Sequence, residues 1–85
     1  MYNLFKFSAP WCGPCKVLGK RLDGFDLCQL VEIDIEESEN EPLVEKYKIK
    51  SVPTLVLVNG DTEVKRWTGL QDVNKLKDEI SAIIS

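Results

Sequence analysis

The chain has 85 residues, of which 44% are hydrophobic and 29% are charged, and these values fit a globular domain better than a disordered segment. Its net charge of −3 argues against nucleic acid as a partner, because nucleic acid binding requires a basic surface. There is no histidine, which excludes imidazole bases and histidine zinc ligands, and the three cysteines cannot form a fully paired disulfide framework.

The apolar segments are short, and the run Leu55–Val58 is among the longest. Such runs cannot cross a bilayer, so we expect no membrane partner. The first residues have Lys6 inside the apolar segment and no basic start, which makes a poor signal peptide. The default location is therefore the cytoplasm.

The first half of the chain predicts a strand, a helix and a second strand. Tyr2–Phe7 is aromatic and apolar, and it ends at a Ser-Ala-Pro segment. The segment from Cys12 to about Phe25 has apolar residues at spacings of three and four, which is the period of a helix. In Leu30–Ile35, apolar and acidic residues alternate as in a strand with one buried face, made of Val31, Ile33 and Ile35.

The second half predicts a helix, a hairpin and a last helix. Asn40-Glu41-Pro42 is a helix-start signal, and it is followed by the apolar residues Leu43, Val44 and Tyr47. Asn59-Gly60 separates two strand-like runs and is typical of a hairpin turn. Asp72 is a suitable cap for a final helix that buries Val73, Leu76, Ile80 and Ile83.

The predicted order β-α-β-α-β-β-α indicates an α/β fold in one domain, residues 1–85. A strand, a helix and a strand in succession imply a right-handed crossover, which makes the first two strands parallel. The run Leu55–Val58 is apolar on both faces and predicts a central strand. Leu30–Ile35, with its charged face, predicts an edge strand.

Three motifs resemble the thioredoxin family. They are "WCGPCK" at 11–16, "SVPT" at 51–54 and the glycine at 69, and the resemblance extends from Leu4 to Ile84. It implies a minimal thioredoxin fold, with a four-stranded mixed sheet flanked by three helices. Compared with a full-length thioredoxin, we expect the N-terminal strand and helix to be missing, which gives an outline closer to that of a glutaredoxin.

The cysteine pair at the start of the first predicted helix allows three interpretations. Cys12 and Cys15 are a redox pair, half of a zinc site that Cys28 and an acidic residue complete, or two inert core thiols. The position after a strand and at a helix N-terminus favours the redox pair, because backbone N–H groups and the helix dipole stabilise a thiolate there. We expect Cys12 to be the exposed nucleophile and Cys15, almost one turn further, to be the shielded resolving thiol. Gly13 lets the loop turn without a side-chain clash, and Pro14 stiffens the ring.

The resemblance also implies a substrate groove beside the redox pair. Pro53 should follow a cis peptide bond, and the backbone of Val52 should pair with a bound peptide. Thr68, Gly69 and Leu70 should complete the groove, with the glycine allowing a close backbone approach, and Trp11 should form a wall. No bound cofactor or metal is implied beyond the Cys12–Cys15 disulfide. For Trp67, simple packing over the hairpin is an equal alternative, and Cys28 is expected to be a spectator.

One departure from the thioredoxin pattern concerns two charges. Full-length thioredoxins carry a buried aspartate where this chain has Lys6, and a partner lysine where it has Glu32. The two residues are either a charge-swapped pair that assists proton transfer at Cys15 or two solvated charges on the strand surface.

Three functions remain open on the sequence alone. The first is a monomeric disulfide reductase that thioredoxin reductase recharges and that reduces proteins such as ribonucleotide reductase. The second is a glutaredoxin-like protein, or a redoxin dedicated to ribonucleotide reductase, that is recharged by glutathione. The third is a non-enzymatic accessory module, which would not need both Cys12 and Cys15.

Overall fold

The computed structural model describes residues 1–85 and has the predicted order of elements. The strands are β1 (Tyr2–Ser8), β2 (Gln29–Asp34), β3 (Thr54–Asn59) and β4 (Thr62–Thr68). The helices are α1 (Gly13–Arg21), α2 (Glu41–Lys46) and α3 (Val73–Ile84). A short 3-10 helix, Ser38–Asn40, leads into α2 and was not predicted.

The four strands form one mixed sheet in the order β2-β1-β3-β4. β1 is parallel to β2 and antiparallel to β3, and β3 is antiparallel to β4. The predicted parallel pair, the edge position of β2 and the central position of β3 are therefore confirmed. In the β1–β2 register, Lys6 lies beside Glu32 and Ser8 beside Asp34.

Helices cover both faces of the sheet. Leu4, Leu55 and Leu57 pack with residues of α1 and α3 on one face, whereas Phe7, Val56 and Val58 pack with Tyr47 at the end of α2 on the other. The whole run Leu55–Val58 is inaccessible to solvent. Burial of each such side chain contributes roughly 1.5–3 kcal/mol, so β3 anchors the two halves of the core.

Two boundaries differ from the prediction. α1 ends at Arg21 rather than near Phe25: Leu22 is its C-cap, with a ψ of 1°, and Gly24, with a φ of +79°, then turns the chain away from the helix. The hairpin loop is Gly60-Asp61, one residue later than predicted, and Gly60 has a φ of +63°. Trp67 is buried in the core beside α3, which confirms the packing alternative.

The last helix begins and packs as predicted. Asp72 is its N-cap, and the side chain accepts hydrogen bonds from the backbone N–H groups of Asn74 and Lys75. Val73, Leu76 and Ile80 are buried against the sheet, and Ile83 is half-buried beside them.

Candidate active site

The two cysteines meet at the point where β1 passes into α1. Cys12 is the N-cap of α1, and the backbone N–H of Cys15 donates to its Sγ atom at 3.2 Å. The Cα atoms of Cys12 and Cys15 are 5.3 Å apart, and the two residues form a disulfide. Since the first N–H groups of a helix have no partner within the helix, this position favours negative charge on the Cys12 sulfur once the disulfide is reduced.

The expected exposure of Cys12 is wrong for the disulfide form. Cys12 is 4% exposed and Cys15 is 2% exposed, so the two residues hardly differ. Both pack with Ala9, and Val52 lies against them. The position of Cys12 at the end of the helix would leave its side chain exposed, but the disulfide bond to Cys15 and this packing shield it from solvent.

Three of the predicted groove residues lie close together, since Val52 packs against the cysteines and Pro53 is hydrogen-bonded to Gly69. The Val52–Pro53 peptide bond is cis, as expected. The backbone N–H of Gly69 donates to the carbonyl oxygen of Pro53 at 2.8 Å, which holds the segment after β4 against Pro53. Leu70, next to Gly69 in the chain, is 43% exposed, and Trp11, next to Cys12, is 67% exposed.

The reasons given for the two glycines of the site need correction. A Cβ atom on Gly69 would meet no atom within 4 Å, but the residue has a φ of +86°. Its backbone conformation, rather than a close approach, therefore requires glycine. A Cβ atom on Gly13 would also meet nothing within 4 Å, so Gly13 relieves no clash within this chain.

Trp11 has a partner that the sequence did not reveal. Its indole Nε1–H donates a short hydrogen bond to Oε1 of Glu36, which lies just after β2. The bond orients an exposed ring next to Cys12. Only the tertiary structure brings the two residues together, since no local pattern marks one glutamate in the acidic segment 36–41.

Lys6 and Glu32 form a pair on the face of the sheet that α1 covers. The Nζ atom of Lys6 donates to both carboxylate oxygens of Glu32, at 3.0 and 3.3 Å. Lys6 is only 4% exposed, whereas the Glu32 side chain is 58% exposed. The alternative of two solvated charges is therefore wrong for Lys6. A buried ammonium is costly without a counter-charge, and Glu32 supplies it.

An open cavity of about 340 Å³ connects this pair with the resolving cysteine. Alternation along β1 and β2 turns every second side chain toward α1, which brings charges from both strands to one place. The residues that line the cavity include Lys6, Ser8, Cys15, Lys16, Glu32 and Asp34. Asp34 and Ser8 were not predicted as site residues. The sequence did offer a signal, since Asp34 is two residues after Glu32 and Ser8 is two residues after Lys6, and such residues share a face of a strand.

Cys28 lies away from the cysteine pair. It precedes Gln29, which pairs with Asn3 at the start of β1, whereas Cys12 follows the other end of β1. A strand rises about 3.3 Å per residue, so most of the length of the sheet separates the thiols. The zinc alternative therefore lacks its third sulfur. Burial raises the pKa of the Cys28 thiol, which makes it a weak nucleophile at neutral pH.

Two further features bear on partners. No cluster of three or more Cys, Asp or Glu side chains in the structure is arranged to hold a metal ion. None of the helices has the length and apolar character needed to cross a bilayer.

Comparison with known proteins decides the family. The family model described as Thioredoxin matches residues 2–82, which is nearly the whole chain. The chain belongs to the thioredoxin family. With the Cys12–Cys15 pair in place, it is a thiol–disulfide oxidoreductase, and the glutaredoxin alternative is not favoured.

Individual thioredoxins support the family assignment by both sequence and fold. A thioredoxin of Chlamydia trachomatis is 36% identical over 86 aligned positions, which cover 96% of this chain and 78% of the relative. The mitochondrial thioredoxin of Mus musculus is 30% identical, and the chain spans about half of its length. The structure of a mutant thioredoxin from Halobacterium salinarum matches with a TM-score of 0.80 and 34% identity, covering 95% of this chain and 73% of that one.

Proposed function

We propose that the chain reduces protein disulfides, with Cys12 as the nucleophile and Cys15 as the resolving thiol. The Cys12 thiolate attacks one sulfur of a substrate disulfide, a Cys12–substrate bond forms, and the first substrate thiolate leaves and takes up a proton. Cys15 then attacks the Cys12 sulfur and releases the second substrate thiolate. Two electrons pass to the substrate, and the Cys12–Cys15 disulfide remains.

The observation that carries these roles is the position of Cys12 at the N-cap of α1. The backbone N–H of Cys15 already donates to its sulfur, and the same donor serves a thiolate after reduction. Helix N-termini lower cysteine pKa values into the range of roughly 3.5–7.5. Cys15 lies inside the first turn, where it reaches the Cys12 sulfur without being the first to meet a substrate.

We propose that Val52, Pro53, Thr68, Gly69 and Leu70 form the groove that binds the substrate peptide. The hydrogen bond from Gly69 to Pro53 supports this, since it fixes two segments from distant parts of the chain on one side of the disulfide. Trp11 would form the opposite wall. Backbone groups next to Val52 would pair with an extended substrate in the manner of an added strand.

We further propose that Lys6 and Glu32 assist Cys15. Cys15 is buried, and a buried thiol loses its proton reluctantly. The cavity joins Cys15 to both charges, so the Lys6 ammonium can stabilise the forming thiolate. The Glu32 carboxylate, more than half exposed, can accept the proton through water and pass it to solvent.

The proposed electron donor is thioredoxin reductase, with glutathione as the alternative, and the acceptors are disulfide-containing proteins such as ribonucleotide reductase. The chain would act as a monomer, without a bound cofactor, and we propose the cytoplasm as its location. The free thiol of Cys28 fits a reducing compartment.

Trapping experiments on the two cysteines test the assignment. In a Cys28→Ser background, Cys15→Ser should accumulate a mixed disulfide between Cys12 and an oxidised model protein such as insulin, because nothing resolves it. Cys12→Ser should form no such adduct and should not reduce insulin. Mass spectrometry of the adducts reads the result. A stable adduct through Cys15 in the Cys12→Ser variant, formed as fast as that through Cys12, would reverse the roles.

A further inference from the structure

Gly19, in α1, lies near the buried ammonium of Lys6. A Cβ atom built on Gly19 would come within 3.3 Å of Nζ of Lys6 and 4.0 Å of its Cε. No other glycine of the chain has an atom within 4 Å of its Cβ position. A glycine inside a helix costs up to about 1 kcal/mol of stability relative to alanine. The space that Lys6 occupies can explain why a glycine stands at this position of α1 in spite of that cost.

The position of Gly19 relates the ammonium to the resolving cysteine. Gly19 is four residues after Cys15, and residues four apart in a helix lie on the same face one turn apart. The Lys6 ammonium, which lies where a Gly19 side chain would point, is therefore beneath the same face of α1 as Cys15. The cavity shared by Lys6 and Cys15 agrees with this arrangement.

A side chain at position 19 would enter the space between the two groups. The Cα–Cβ bonds of a helix tilt toward its N-terminus, so each side chain covers the turn that precedes its own Cα. At Gly19 that turn begins at Cys15. A methyl group there would press on the end of Lys6 and would also separate it from the cysteine.

We propose that Gly19 is a positioning residue: its missing side chain lets the Lys6 ammonium, held by Glu32, face Cys15 and speed the resolving step. The inference rests on the proposed role of Cys15. In that step Cys15 loses a proton to Glu32 or water, its sulfur bonds to the Cys12 sulfur, and the substrate thiolate leaves. The other charged residues that line this cavity are Lys16 and Asp34, on α1 and β2. They stay unchanged in every variant below.

The experiment separates attack from resolution in one trace. Reduced protein in a Cys28→Ser background is mixed with a chromogenic aromatic disulfide that releases one coloured thiolate at each step. The first release depends on reagent concentration and reports Cys12. The second does not, and it reports Cys15. A second release that depends on reagent concentration would refute the proposed role of Cys15 itself, not the role of Gly19.

We expect Lys6→Met to slow the second release roughly tenfold, within the range of acid–base and charge effects on proton transfer. Gly19→Ala should slow it at least about threefold and should move its pH profile to higher pH, with the first release unchanged within about twofold. The midpoint of urea unfolding should change little in Gly19→Ala, because the helix preference of alanine offsets the displacement of the flexible end of Lys6. Lys20→Met, which removes an exposed charge from the same helix, is the control and should change neither release.

The double variant decides whether Gly19 acts through Lys6. In the Lys6→Met background, Gly19→Ala should add no further slowing of the second release, because the ammonium it displaces is already gone. An equal slowing in both backgrounds, or none in either, would overturn the proposal. The Lys6→Met arm stands alone if a position-19 variant fails to fold, and an unchanged second release in that arm would also overturn it.

Discussion

Gly69 links the segment after β4 to Pro53 by one backbone hydrogen bond, and its own backbone conformation permits that link. At a φ of +86° an alanine would bear a steric cost of about 1–2 kcal/mol, partly offset by its smaller entropy in the unfolded chain. Gly69→Ala should therefore lower the free energy of unfolding by about 1 kcal/mol in urea titrations.

Gly13→Ala is the matched control for this prediction. Gly13 has no positive φ and open space around its Cβ position, so the same chemical change should alter the free energy of unfolding by less than about 0.5 kcal/mol. Equal losses in the two variants would show that the φ of Gly69 does not explain its identity.

Some residues of the site belong to short sequence motifs, whereas others are recognised only from contacts between distant parts of the chain. Cys12, Cys15 and Pro53 belong to short motifs, which made them visible before the structure. Gly19 lies near Lys6, and Glu36 accepts a hydrogen bond from Trp11, and such proximity between distant residues leaves no local pattern in the sequence. The prediction that Cys12 is exposed was wrong for the same reason, because Ala9 and Val52, which are distant from each other in the sequence, pack against it.

At the scale of elements, one carboxylate adds hydrogen bonds to the apolar contact between β4 and α3. Glu79 accepts from the indole Nε1–H of Trp67 at 2.7 Å and from Nζ of Lys65 at 3.2 Å. The hydrogen bond from Trp67, followed by that from Lys65, lowers the pKa of Glu79 below its usual value of 4.5. The hydrogen bonds from Trp67 and Lys65 are therefore stronger while the Glu79 carboxylate is ionised.

This shift predicts how stability depends on pH. Because the pKa of Glu79 is lower in the folded chain than in the unfolded chain, its contribution is present above the unfolded value of about 4.5 and is lost as the pH falls through the folded value. Between neutral pH and about pH 3, Glu79→Gln should therefore lose less stability than the unmodified chain in urea titrations.

Asp78→Asn is the control for the Glu79 prediction. Asp78 is an exposed neighbour on α3, and the structure records no hydrogen bond to its side chain. This variant should keep the pH dependence of the unmodified chain. A pH dependence in Glu79→Gln that equals that of Asp78→Asn would show that the contact with Trp67 does not stabilise the ionised form.

Elements were predicted more securely than their ends. Hydrophobic period and capping residues act over a whole segment, which is why all four strands and three α-helices were found, together with the Asp72 cap. The end of α1 depends on the backbone conformation of Leu22 and the turn that follows it, and the hairpin loop lies one residue later than predicted. Small energy differences set the ends of helices and strands, and a hydrophobic period that extends over many residues does not locate them to one residue.

At the scale of the whole molecule, the topology followed from rules that do not depend on this sequence in detail. A right-handed crossover and an apolar central strand leave few arrangements, and the observed sheet is one of them. The paired burial of Lys6 could not be predicted so simply. It requires β1, β2 and α1 to meet, and alternation alone placed Lys6 equally well in solvent.

Recognition by the electron donor is also a property of the whole molecule, and it separates the two reductase hypotheses. The exposed Trp11 beside the disulfide and the thioredoxin relatives favour docking on a flavoprotein thioredoxin reductase rather than binding of a tripeptide thiol. Insulin reduction should be more than tenfold faster with NADPH and a bacterial thioredoxin reductase than with glutathione and its reductase, a difference of about 1.4 kcal/mol in activation free energy. Both assays follow NADPH consumption at equal protein concentration, with Cys12→Ser as the blank. Faster turnover with glutathione would assign the chain to the glutaredoxin-like function. It would show that a small thiol reduces the disulfide efficiently without docking of a protein donor.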